Sequence, residues 1–146
     1  MIGKLYCGCL VVSCCDETPT KEVEVQPSEY RVLVSGWRGC VNKMLVHYEL
    51  DKIHRLRRIT TLIHGGARGA DSIAHGWAVL NNVPIVMYPA QWDVHGKSAG
   101  PIRNQQMLDE GKAELVIAFL SPKSVGTLDM LARAKKAQLQ TYVVMV

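Results

Sequence analysis

The sequence predicts an α/β fold, a mainly parallel sheet of about five strands covered by helices. Three observations carry that reading. Short runs rich in Val, Ile and Leu alternate with stretches of helical spacing from Tyr30 onward. Most of those runs are apolar throughout, which suits strands buried on both faces. Glycines and polar residues crowd the segments that follow the strands.

Each element has its own signal. "YRVLVS" is a β-branched run ending at Gly36, and Val41 to Arg57 has helical spacing, with Leu45, Tyr48, Ile53 and Leu56 available for a buried stripe. "TTLIH" is a strand stopped by Gly65 and Gly66, and Ala70 to Leu80 reads as a helix. "VPIVMY" is a strand stopped by Pro89. A long loop from Pro89 to Gly100 leads to a short helix over Ile102–Leu108, closed near Gly111. Loops of that length tend to be functional. "AELVIAFL" is the most apolar strand, Thr127 to Ala137 is a helix, and "TYVVMV" is the last strand. Strand–helix alternation of this kind gives right-handed crossovers and a Rossmann-like sheet.

Residues 1–29 read as a separate β-rich extension, a possible hairpin arm before the domain at 30–146. "CGCLVVSCC" holds four of the five cysteines. Their spacing is not that of two C-x-x-C pairs, so small buried hydrophobes are favoured over a zinc site, and no metal or cofactor is expected. The apolar part is also short for a secretory signal, and no run reaches the roughly 18 residues of a membrane span, so a cytoplasmic protein is expected. The net charge of +4 helps to hold an anion but is far from a nucleic-acid-binding stripe.

In open parallel sheets ligands bind beyond the carboxyl ends of the strands. Four segments lie there: "SGWRG", "HGGARGAD", "PAQWDVHGKSAGPIRN" and "SPKSVGTLD". Gly65 and Gly66 permit a sharp turn, and Gly69 opens the next helix without a side chain in the way of phosphate. Alternatively these glycines only make a tight strand–helix turn. Asp71, in the first helical turn, could cap amides or accept ribose hydroxyls. Gly126 permits close approach and Thr127 reads as a helix cap. Arg38, Arg68, Lys97 and Arg103 are cations in the same segments, with Gly36 and Asn104 beside them. Trp37 and Trp92 could stack on a base or pack as a lid. His95 could touch ligand, whereas His64 reads as structural.

The stretches "RVLVSGWRG", "LIHGGARGADSIAHGWA", "VPIVMYPAQWDVHGKSAGPIRNQQMLDEG" and "VGTLDMLARAKKA" resemble, in order, the YspA-like branch of the SLOG superfamily. The resemblance runs from about Arg31 onward, in a family frequent in phages and bacteria. It implies a Rossmann-like fold that binds nucleotides or nucleotide-derived ligands. The superfamily includes LOG phosphoribohydrolases, the DNA-processing protein DprA and sensors of NAD-derived signals in antiphage defence. LOG enzymes carry R-K-x-x-M and P-G-G-x-G-T-x-x-E. Here "RNQQM" keeps Arg103 and Met107 but has Asn104 for lysine, and "SPKSVGTLDM" keeps Gly126 and Thr127 but puts Met130 at the glutamate position. Asp129 stands one residue early, and Pro122, Lys123 and Ser124 replace P-G-G.

The resemblance thus implies a ligand class rather than one reaction. The leading expectation is a sensor or phage-type sequestering protein for a nucleotide or a signal such as a cyclic ADP-ribose. The alternative is an N-glycosidic hydrolase using Arg103, Asp129 and Asp71. Single-stranded DNA is disfavoured by mild charge and few aromatics. A homo-oligomer is expected.

Overall fold

The computed structural model describes residues 28–146, so the expected hairpin arm and its cysteine cluster lie outside the described residues. The elements are β1 (Arg31–Gly36), α1 (Lys43–Leu56), β2 (Thr61–His64), α2 (Ala70–Leu80), β3 (Ile85–Met87), α3 (Trp92–His95), α4 (Ala99–Gly111), β4 (Leu115–Leu120), α5 (Val125–Lys136) and β5 (Gln140–Met145). The sheet order is β3-β2-β1-β4-β5, with every neighbouring pair parallel. This is the expected Rossmann-like arrangement, and among the described residues no helix is long and apolar enough to cross a membrane.

Strand β1 lies at the centre, and its residues Val32 to Ser35 are buried. Val32 and Val34 face a core built with α1 and α2, including Val46, Leu50, Ala74 and Trp77. Leu33 faces the opposite core, with Ile63, Val116, Met107 of α4 and Met130 of α5. The chain runs outward through β1, β2 and β3, then returns past β1 to β4. The direction of winding therefore reverses between β1 and β4, and a crevice opens at their carboxyl ends.

Three local expectations need correction. The buried face of α1 is Val46, Glu49, Leu50 and Ile53. Tyr48 and Leu56 are exposed instead. The stripe is displaced because a carboxylate joins it: Tyr142 Oη donates to Glu49 Oε1 at 2.8 Å, and Lys52 Nζ lies 2.9 Å from the same oxygen. The loop before α4 is mostly helical, with α3, a 3₁₀ turn over Gly96–Ser98, and α4 already begun at Ala99. Pro101 sits in the first turn of α4, where a missing amide costs nothing. Helix α5 begins at Val125 with Ser124 as N-cap. Thr127 is therefore not the cap but a buried first-turn residue.

Gly69 caps α2 with φ +76°, and a Cβ there would meet the carbonyl oxygens of Trp37 and Arg38. The carbonyl of Trp37 accepts from Ala70 N at 3.3 Å. The space that glycine leaves is thus filled by the chain's own β1–α1 loop. Gly69→Ala should lose roughly 1–3 kcal/mol from backbone strain, before any clash. Gly76→Ala, in mid-α2 with nothing within 4 Å of its Cβ, should gain about 0.5–1 kcal/mol. Urea unfolding of both variants checks the contrast, and equal midpoints would refute it.

Candidate functional site

A cavity of about 510 Å³ occupies the crevice beyond β1 and β4, within the range of about 300–1,000 Å³ typical of small-molecule sites. Four segments build it. The end of β1 contributes Ser35, Gly36, Trp37 and Arg38, and the β2–α2 turn contributes Ala67 and Asp71. The α3–α4 segment supplies Trp92, Lys97, Arg103 and Asn104, and the start of α5 supplies Lys123 through Thr127 with Asp129.

Arg103 reaches across from α4 to the ends of two strands. Its Nη1 donates to the carbonyl of Gly65 and, at 3.5 Å, to that of Tyr88; its Nε donates to Asn104 Oδ1 at 3.3 Å. Gly65 is needed for this seat, since a Cβ would enter the guanidinium. Burial lowers the Arg103 pKa, offset only in part by the Asp71 carboxylate and added to by Arg38. Asp71 Oδ2 accepts from Gly65 N at 2.9 Å and from Ala67 N at 3.4 Å. Burial raises its pKa to about 6, against the pull of those amides and of Arg103 and Arg38. His64 secures the same turn: its Nδ1 accepts from Gly66 N at 3.0 Å. An accepting Nδ1 places the His64 proton on Nε2, which donates to His75 Nδ1 at 2.9 Å. Burial, His75 and Arg103 lower the His64 pKa to about 4, so the imidazole is neutral near pH 7.

The wall beyond is aromatic and cationic. The Arg38 guanidinium lies 5.1 Å from the centroid of the Trp92 ring. Arg38, Lys97, Arg103 and Lys123 line the cavity, and none of them forms an ion pair among the described residues. Asp129 is already engaged, accepting from Asn104 Nδ2 at 3.0 Å and Arg133 Nε at 2.8 Å. Burial would raise its pKa, but the Arg133 and Asn104 bonds outweigh that and lower it. Asn104 also donates to the Gly126 carbonyl at 3.1 Å, joining α4 to the first turn of α5. The amides of Gly126 and Thr127 are first-turn donors with no backbone partner among the described residues. Thr127 is 3% exposed and lines the cavity; no partner for its hydroxyl is found among the described residues.

Of the candidates read from sequence, Gly36, Arg38, Asp71, Trp92, Lys97, Arg103, Asn104, Gly126, Thr127 and Asp129 meet here. Gly65, Gly66 and Gly69 shape the turn behind the cavity, while Arg68 and His95 are exposed and do not line it. Ser35, Lys123 and Ser124 also line the cavity and are not among the residues singled out from the sequence. For the serines the available signal was a small polar residue ending an apolar strand or opening a helix. Among the described residues no group of three or more His, Cys, Asp or Glu could hold a metal.

Asp71 and His64 act oppositely on stability. Asp71 has an ordinary pKa of 3.8 and a folded value of about 6. Between those values the folded state holds more protons, so this residue weakens the fold as pH rises from 4 to 6. His64 moves from an ordinary 6.5 to about 4. There the unfolded state holds more protons, so this residue weakens the fold as pH falls from 6.5 to 4. Each contributes about 3 kcal/mol over its window, and the two nearly cancel. Asp71→Asn should uncover a loss of stability on acidification from pH 6.5 to 4 that wild type does not have. Denaturant melts at four pH values decide, and parallel wild-type and variant profiles would refute the pairing.

A family model described as the YspA, cpYpsA-related SLOG family matches residues 30–95, from β1 through α3. The Gene 61 protein of Mycobacterium phage D29 is 40% identical over 113 residues, spanning 73% of this chain and 90% of that relative. With the parallel sheet and the cavity at its reversal point, these matches establish that the chain belongs to the YspA, cpYpsA-related SLOG family.

Proposed function

We propose that the chain binds a nucleotide or an NAD-derived nucleotide signal and holds it unchanged, as a sensor or as a phage-type sequestering protein. One observation carries the reading: the cavity at the winding reversal collects four cations that form no ion pair among the described residues, and the open first turn of α5. In this reading a phosphate takes the Gly126 and Thr127 amides and the Thr127 hydroxyl, which together make a neutral, fixed anion cradle. Arg38, Lys97 and Lys123 neutralise its charge. Trp92, half-exposed beneath Arg38, covers a base. Serving as a scaffold suits Arg103, since its donors already hold the Gly65 and Tyr88 carbonyls.

Holding is favoured over hydrolysis by the state of the two carboxylates. Asp129 is ion-paired with Arg133, and Asp71 spends one oxygen on two turn amides. Each carboxylate thus already serves the frame through its Oδ2.

The test is retention. Purified protein is incubated with nucleoside monophosphates, ADP-ribose and cyclic ADP-ribose isomers, washed and heat-denatured, and the released molecules are read by mass spectrometry. An intact ligand is expected. Thr127→Val should weaken binding about 10- to 150-fold, the worth of one buried hydrogen bond to a charged group. Arg38→Ala should weaken it at least as much, and Arg103→Ala should abolish retention. Free base with ribose phosphate would instead establish an N-glycosidic hydrolase and overturn the proposal.

A further inference from the structure

Strand β5 pairs with β4 along its whole length, and among the described residues no strand lies on its other side. Edge strands are ordinarily guarded by charge, proline or a bulge. Here "QTYVVM" carries neither charge nor proline. Tyr142 and Val144 pack on the α1 side of the sheet, so Val143 and Met145 alternate to the α5 side. There they stay 45% and 62% exposed, beside the exposed Val125 and Leu128 of α5. The α1 side is basic instead. Lys52 Nζ lies 5.5 Å from the Tyr48 ring centroid and 5.6 Å from that of Tyr142, and its neighbour Glu49 also accepts from Tyr142. Arg55 follows three positions after Lys52, on the same side of the helix. Lys135 stands in the last turn of α5, just before β5. Neither Arg55 nor Lys135 forms an ion pair among the described residues, while Arg57 and Glu114, near the start of β4, pair with each other. The open edge is thus apolar on one face and basic on the other.

We infer that the chain's own residues 22–26, which lie outside the described residues, complete this edge as a sixth strand antiparallel to β5. Two observations select that occupant. The first is where the described chain begins. Arg57 Nη2 donates to Ser28 Oγ at 3.4 Å and to the Glu29 carbonyl at 3.1 Å, while pairing with Glu114 ahead of β4. The chain therefore enters the sheet on the β4 side, not beside the opposite edge at β3. A strand beyond β5 lies two interstrand spacings from β4, about 10 Å, the reach of roughly three extended residues. Pro27 falls in that connection, where no amide has to pair. The second observation is the pattern "EVEVQ", acids alternating with valines. Opposed residues of an antiparallel pair share a face. Setting Val23 against Val143 puts Val25 against Thr141, and Glu24 against Tyr142 beside Lys52. The valines then cover the apolar face and the acids meet the basic one. The sheet becomes mixed, with an antiparallel edge strand on a parallel body. The inference does not depend on what the cavity holds.

Hydrogen–deuterium exchange on the full chain tests it. The amides of residues 22–26 should exchange at least 10-fold more slowly than in a free peptide of residues 18–30. Register is tested by disulfide trapping. Cys7, Cys9, Cys14 and Cys15 are replaced by serine, and the buried Cys40 is kept. In that background Val23→Cys with Val143→Cys should link under mild oxidation, in the monomer band of a non-reducing gel. Glu24→Cys with Val143→Cys sets the two thiols on opposite faces and should not link. Exchange at the free-peptide rate, equal linking of both pairs, or a link found only between two chains would overturn the inference.

Discussion

The half-buried guanidinium of Arg103 is the constraint on which the rest of the site depends. A cation held among strand ends needs acceptors, and here two backbone carbonyls serve its Nη1: those of Gly65 and Tyr88, after β2 and β3. That requirement explains the glycine at position 65, where a Cβ would occupy the guanidinium's place. It also explains why Asp71 and His64 converge on the same turn. The turn must present a carbonyl to Arg103 while its amides point away, and Asp71 and His64 accept those amides. Catalytic-looking residues thus serve first as a frame. A charge set this deep is tolerable because Arg103 Nη1 and Nε, Asp71 Oδ2 and His64 Nδ1 are all hydrogen-bonded.

The layers of the fold were legible because burial on both faces leaves little choice of residue. "LVIAFL" in β4 and "VLV" in β1 admit no other role. The location of the cavity was legible for a topological reason, since polar segments followed every strand at one edge. Local geometry was less legible. Gly96, Gly100 and Pro101 look like breakers, yet α3, the 3₁₀ turn and α4 run through them. Gly96 takes a positive φ between helical turns, and Pro101 falls where its missing amide is harmless. In α1 the burial of Glu49 could not be read from spacing, because it depends on Tyr142, 93 positions away in the chain. The same holds for Gly69, whose neighbour is a loop over thirty positions earlier rather than an incoming ligand.

The departures from the LOG pattern acquire physical meaning at the α4–α5 contact. Asn104 stands where those enzymes have lysine, and it bonds both the Gly126 carbonyl and Asp129. A lysine could not accept the Arg103 Nε bond that Asn104 takes through Oδ1. Met130, at the glutamate position, is fully buried in the core between α5 and the sheet. A carboxylate there would need a partner that this core does not offer. The two changes agree with each other: one helix face became packing, and the adjacent carboxylate became a strut.

The placement of the tryptophans gives this fold a native optical channel. The chain has three of them. Trp37 and Trp92 line the cavity, while Trp77 is sealed between α1 and α2 with its indole N–H on Asp51 at 2.8 Å. Emission from the first two is exposed to whatever enters, and Trp92 already lies under a guanidinium that an anion would draw away. The third is shielded from all of this and serves as an internal standard. Occupancy of the crevice is therefore written into the protein's own fluorescence, without a label.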